Sequence, residues 1–235
     1  MTQTVVVKIS GESLRGEQYA LSHLAFTRFV SQIRRLVDFG IKCVVVLGAG
    51  NIFRGRDSAT MSINSDDGDQ AAMLATGVNA LVFAARCKSV GLRSVVLTSG
   101  PCVSFGIPWT QRSLAEALAT NDAVVLAGGL GIGGISSDVS AVQLAADAGV
   151  GCLVLAKHEV DGVYTSDPRR SPNAKLIEEI SATEAYRRQL SFTDPEALLL
   201  AGELHIKLHV VNAQTESSIF RAAKGERVGS VIRPE

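Results

Sequence analysis

The chain has 235 residues, 46% of them hydrophobic, and its 23 basic and 23 acidic side chains cancel. That is enough apolar material for a large core, as one broad α/β domain or two closely joined lobes. Zero net charge without a long basic run argues against a nucleic-acid footprint and leaves room only for a local basic pocket.

In chain order, a valine-rich run at residues 4–9 opens the series and passes into KISGES. Over residues 21–39, Phe26, Phe29, Val30, Ile33, Leu36 and Val37 recur at three- and four-residue steps, which marks one apolar helix face. A second run at 43–47 ends in GAGNIFRG, and residues 71–87 are apolar nearly all round, which predicts a central helix. A strand at 94–97 leads into TSG, a helix follows at 110–121, and a strand at 123–127 leads into GGLGIGGISSD. A helix at 137–148 and strands at 152–155 and 208–211 complete the pattern. Most of the strand runs are uninterrupted, as strands buried on both faces should be. Strand and helix alternate, so the expected fold is a three-layer αβα sandwich around a mainly parallel sheet.

The N-terminal MTQTVVVKIS lacks the charged and apolar regions of a signal peptide. The 71–87 helix falls short of the ~20 apolar residues that span a bilayer. Cys43, Cys87, Cys102 and Cys152 form no CxxC pair, and three read as small core residues in a reducing compartment. The expectation is a cytoplasmic protein without a membrane partner. After residue 157 the polar, turn-rich VDGVYTSDPRRSPNAK reads as a flap over a nucleotide.

Ligands of open α/β sheets bind at the carboxyl ends of the strands. Three glycine-rich exits at that edge, carrying Lys8, Arg54 and Asp138, point to one polyphosphate site. Gly129, Gly131 and Gly134 satisfy GxGxxG, but in the fourth strand exit and without the acidic residue a dinucleotide fold needs. The plainer role is an anion held by backbone N–H groups and a helix N-terminus capped by Ser136 or Ser137. No GxxxxGK[ST] occurs. Lys8 is either a strand-end lysine snorkelling to water or a phosphate contact, and its place beside the glycine exits favours the second. Arg54 is well placed for a phosphate fork. Asp138 and Asp69 both read as carboxylates at helix starts, where the dipole favours them. Asp138 could also orient Lys8 or hold a phosphate-bound metal. His23, His158, His205 and His209 show no metal-ligand spacing, and only His158 lies next to the flap.

KISGE, GAGNIFRG, GDQAAMLATGVNAL, SSD, VDGVYTSDP, FTDPEAL and GERVGSVI occur in the order and near the spacing of the amino acid kinase fold. Within it the chain resembles the bacterial-type UMP kinases over nearly its whole length. The resemblance implies one domain over residues 1–235, with an acceptor lobe at 1–150 and an ATP lobe at 151–235. It implies ATP-dependent phosphorylation of UMP to UDP with Mg²⁺, in a homohexamer under allosteric nucleotide control. Lys8, Arg54, Asp138 and Asp194 would be catalytic, the two aspartates positioning Lys8 and the metal-bound phosphates. Lys8, Ser10, Gly11, Gly50, Arg54, His158, Tyr164 and Asp167 would hold ATP. Gly48, Ala49, Asp69 and the loop Leu130, Gly131, Ile132, Gly133, Gly134, Ile135, Ser136 and Ser137 would hold the acceptor. No residue is expected to ligate a metal directly.

The acceptor loop departs from the family pattern Gly-Thr-Gly-Asn-Pro-Phe-Phe-Thr-Thr-Asp. Leu130, Ile132, Gly133, Gly134 and Ile135 replace its Thr, Asn, Pro and both Phe, and Ser136 and Ser137 replace two threonines. The family's second glycine of the earlier turn is Ala49, and its Ala-Thr-Lys is Lys157-His158-Glu159. This Lys-x-Glu resembles the molybdenum storage protein, which keeps the fold and ATP binding but condenses oxyanions. The alternatives to a UMP kinase are therefore a nucleotide-binding paralogue without that activity, or a kinase for another small acceptor.

Overall fold

The computed structural model describes residues 3–235. The valine-rich runs become strands β1 (Thr4–Ile9), β2 (Lys42–Leu47), β3 (Ser94–Thr98), β5 (Ala123–Ala127), β6 (Cys152–Lys157) and β10 (Lys207–Asn212), with a short β4 (Ile107–Pro108) at one edge. Strands β9 (Glu179–Ser181) and β11 (Ser230–Arg233) extend the opposite edge, giving the order β4-β3-β5-β2-β1-β6-β10-β11-β9. Every neighbouring pair is parallel except β10 with β11.

Parity along β1 decides what each face receives. Val5, Val7 and Ile9 enter a core with helices α1 (His23–Asp38) and α2 (Ser65–Ser89), joined by α7 (Ser218–Ala223). Val6 enters the opposite core, under α4 (Ser137–Asp147) and α6 (Pro195–Glu203). Lys8 shares the parity of Val6, so its side chain is delivered to the α4 face. The remaining helices are α3 (Gln111–Thr120), with a Thr110–Ser113 capping box, and the short α5 (Ala182–Arg187).

Side-chain caps fix the helix starts that matter. Ser22 Oγ accepts the Ala25 N–H at 3.2 Å, and Ser136 Oγ accepts the Val139 N–H at 3.2 Å. Ser136 is thus the α4 cap, and Ser137 is the first helical residue. The central helix corrects its expected start. It begins at Ser65, where Asn64 Oδ1 accepts the Asp67 N–H at 2.8 Å, so Asp69 lies inside the helix rather than at its first residue. The polar Ser65–Gln70 stretch carries no apolar periodicity and hid that turn. Residues after 157 form a small antiparallel hairpin of β7 (Val163–Tyr164) and β8 (Leu176–Ile177). No helix among the described residues is long and apolar enough to cross a membrane.

Candidate phosphoryl-transfer site

The carboxyl ends of β1, β2, β5 and β6 bring four segments together. Glycine permits the closest approach. A Cβ on Gly11 would lie 2.4 Å from the Gly50 nitrogen and 2.6 Å from the Gly48 oxygen, so the β1 and β2 exits touch backbone to backbone. The second exit is braced from below. Asn79 of α2, fully buried, donates to the Gly48 carbonyl at 2.8 Å and exchanges two amide hydrogen bonds with buried Asn51.

At the centre lies a buried ion cluster. Lys8 Nζ is 2.6 Å from Asp138 Oδ1, and Lys157 Nζ is 2.5 Å from Oδ2, with the three side chains only 8%, 14% and 7% exposed for Lys8, Lys157 and Asp138. Thr193 donates its hydroxyl to the same Oδ2 at 2.7 Å. Burial opposes the charge on Asp138, but Lys157 and then Lys8 outweigh it and hold its carboxyl far below the usual carboxylate range. Burial pulls the Lys157 ammonium below the ordinary lysine range, against the attraction of Asp138. Two ammonium groups against one carboxylate leave positive charge in excess, which is what an arriving polyphosphate needs.

Two cavities meet near this cluster. The first, about 450 Å³, is lined by Lys8, Gly48, Ala49, Arg54, Asp69, Thr76 and the loop residues Gly128, Gly129 and Ile132 to Ser137. The second, about 500 Å³, lies under the hairpin and includes Lys157, His158, Tyr164, Asp167 and Arg169. Ser10 and Arg54 line both. A third cavity of about 670 Å³ is lined by Asp138, Lys157, the Gln189–Thr193 segment and Asp194.

The sequence-derived residues therefore fall into place unevenly. Gly11 and Gly50, expected to hold ATP, line the first cavity, where the β1 and β2 exits pack against each other. Asp194 does not position Lys8. It stands at the N-cap of α6 without a side-chain cap bond, lines the third cavity and acts on Lys157 only through its charge. Leu130 packs against the core, and Gly131 packs on the backbone of Gly100, so neither lines the first cavity. Asp69 accepts the Gly134 N–H at 2.5 Å, which ties α2 to the glycine loop. His158 holds a Gln214 amide at Nδ1, 3.1 Å away, and Arg169 donates to its carbonyl.

Sequence reasoning missed several members of the site. Lys157 was legible only as a departure from a motif, although a lysine ending a buried strand is the same signal that marked Lys8. Thr193, Asn79 and Glu12 fall within the motifs FTDPEAL, GDQAAMLATGVNAL and KISGE, but nothing in their spacing gave them a role. Glu12 pairs with Arg54 at 2.5 Å and with Arg15 at 2.9 Å, and Arg15 also donates to the Gly50 carbonyl.

The family model described as the amino acid kinase family matches residues 3–212. The chain belongs to that family. A relative from Pseudothermotoga lettingae named uridylate kinase is 33% identical over 236 residues, covering 100% of both chains. A solved UMP kinase from Bacillus anthracis is 28% identical with a TM-score of 0.93, covering 99% of this chain and 96% of its own. A solved UMP kinase from Ureaplasma parvum is 25% identical with a TM-score of 0.91, covering 99% of each.

Proposed function

We propose that the protein is a UMP kinase that transfers the γ-phosphoryl group of ATP to UMP. The observation that carries this reading is the Lys8–Asp138–Lys157 cluster near the meeting of two nucleotide-sized cavities. The names of the relatives support the acceptor, and none of those reported favours the storage-protein alternative.

The first cavity takes UMP and the second takes ATP, which divides the domain into an acceptor part before residue 150 and an ATP part after it. Asp69 is assigned to the acceptor ribose, and Tyr164, Asp167 and His158 to the nucleoside of ATP. The acceptor is a phosphate oxygen, already anionic near neutral pH, so no proton need be removed. The attacking UMP oxygen forms a bond to the γ-phosphorus as the bond to the ADP oxygen breaks. Catalysis is then alignment of two anions and relief of their repulsion. Lys8 and Lys157 supply fixed charge, and Asp138 keeps both ammonium groups in register. Backbone N–H groups of the touching glycine turns approach the phosphates more closely than side chains would allow.

Mg²⁺ is part of this proposal. No cluster of three metal-ligating side chains occurs among the described residues, and the Asp138 oxygens are already engaged. The residues therefore suit an ion held chiefly by nucleotide phosphates, as Mg²⁺ commonly is. Bound there, it would neutralise charge on the β- and γ-phosphates. A homo-oligomer, hexameric as the family resemblance implies, is also assigned. Supporting it, α2 leaves Leu74, Val78 and Leu81 exposed along one face, with Phe105 and Ile107 exposed nearby.

The test is ADP release from ATP and Mg²⁺ over a panel of nucleoside monophosphates and small carboxylates. Release dependent on UMP is expected. ADP release with a carboxylate and not with any nucleotide would overturn the reading.

A further inference from the structure

We infer that the acceptor site recognises a pyrimidine nucleoside monophosphate mainly by shape and backbone, so that CMP is also a substrate. This rests on the kinase reading above.

With the acceptor phosphate at Lys8, the nucleoside is placed against Asp69, Met73, Thr76 and the 128–135 loop, which also line the first cavity. Most of the polar side-chain atoms nearest the loop are already engaged. Thr76 donates its hydroxyl to the Met73 carbonyl at 2.7 Å and accepts the Gly128 N–H at 2.8 Å. Asp69 Oδ2 takes the Gly134 N–H, which leaves Oδ1 for the ribose. Ser136 caps α4. What the loop itself offers to a base is Ile132 and Ile135, with side chains 61% and 41% exposed and no hydrogen-bonding capacity.

Part of the loop backbone is also spent. Gly128 O accepts the Gly131 N–H, and Gly129 O accepts the Ser99 hydroxyl at 2.6 Å. Gly131 is pinned, since a Cβ there would fall 2.6 Å from the Gly100 nitrogen. The N–H groups of Ile132 and Gly133 have no hydrogen-bond partner among the described residues. The loop thus keeps unpaired backbone N–H groups, without a side chain of its own that reads the base edge.

Uracil and cytosine differ at N3 and C4 by exchanging donor for acceptor. A site that reads such a difference with dedicated buried groups rejects the wrong ligand by about 10⁴–10⁵-fold, whereas an apolar pocket reaches only about 10²-fold. The geometry here belongs to the second kind.

The experiment compares kcat/KM for UMP and CMP with saturating ATP and Mg²⁺, in the wild type and in Ile132→Ala. A UMP preference below about 200-fold is expected, the range open to apolar contacts. Ile132→Ala should raise both KM values together, by up to about tenfold, because it removes apolar contact from either base. A larger wild-type preference, or an Ile132→Ala effect confined to one nucleotide, would overturn the inference and leave the UMP kinase reading standing. Turnover of neither nucleotide, with another acceptor used instead, would overturn the kinase reading itself.

Discussion

The two cavities are built from different materials. The cavity proposed for the acceptor is lined largely by glycine backbone and small or apolar side chains from residues 8–76 and from the 128–137 loop. The cavity proposed for ATP carries long side chains of the hairpin and of the segment after α5, such as Tyr164, Arg169 and Arg188, together with Lys157 at the end of β6. Each borders the Lys8–Asp138–Lys157 cluster, the first through Lys8 and the second through Lys157. A glycine backbone is placed by the strand that precedes it, so the acceptor side inherits the rigidity of the sheet. Long cationic side chains are placed by tertiary contacts, so the ATP side can vary more without altering the fold.

The cluster is where the comparison breaks most sharply. Asp138→Asn leaves two buried ammonium groups facing each other without a carboxylate. Removing one partner of a buried pair costs ~3–5 kcal/mol. The expected result is a loss of that order in the denaturation free energy, together with loss of turnover. A loss below about 1 kcal/mol, the value of an exposed pair, would mean that water reaches the cluster freely.

Lys8→Ala is milder for the fold, since Asp138 keeps Lys157 and Thr193 as partners. Turnover should fall by ~10²–10³, the scale for removing a donor aimed at transition-state charge. Turnover within a few-fold of wild type with unchanged melting would take Lys8 out of the transfer step.

Asp69→Asn separates the two sides. Losing one charge-assisted hydrogen bond costs ~1.5–3 kcal/mol, so the acceptor KM should rise by about 10–150-fold and the ATP KM far less. Equal increases for both substrates would remove Asp69 from the acceptor side.

The same contrast explains what could be read from the sequence. The strands of the central sheet are runs such as VVVKI and VVVL, whose burial on both faces leaves a compositional trace. The glycine exits announce themselves because only a few residue types tolerate such close backbone contact. The hidden parts have no local period. β9, β11, α5 and α7 are too short for one, and β4 is two residues long. Thr193 and Asn79 act on partners far along the chain, Asp138 and Gly48, and nothing nearby predicts that meeting. Leu130 looked like a loop residue facing a ligand, yet its apolar side chain packs against the core beneath the loop.

Asn79→Ala tests whether the acceptor turn is as rigid as its packing suggests. The substitution leaves the buried Gly48 carbonyl and the Asn51 amide short of partners. Each unsatisfied buried group costs ~1–3 kcal/mol. Stability should drop by that amount, with an acceptor KM increase as the Gly48 turn loosens. Unchanged stability would show that water replaces the amide.

The smallest expected effect lies at the mouth shared by both cavities, where Glu12 holds Arg54 and Arg15. Burial alone would raise the Glu12 carboxyl, but Arg54, by hydrogen bond and charge, and then Arg15 outweigh it and hold it below its usual value. A carboxylate lowered in the folded state adds stability that is fully present above its unfolded pKa of about 4.3. That contribution fades as pH falls through the lower folded value. The pair is partly open to solvent, with side chains 34% and 26% exposed for Arg54 and Glu12, so screening keeps the gain small. Glu12→Gln should therefore cost no more than about 1 kcal/mol near neutral pH, and the difference from wild type should shrink on acidification below about pH 4. Denaturant midpoints of both proteins across that range measure it. A difference that grows toward acid would reverse the sign and show that Glu12 is held in its protonated form, leaving Arg54 without a permanent anionic partner before nucleotide arrives.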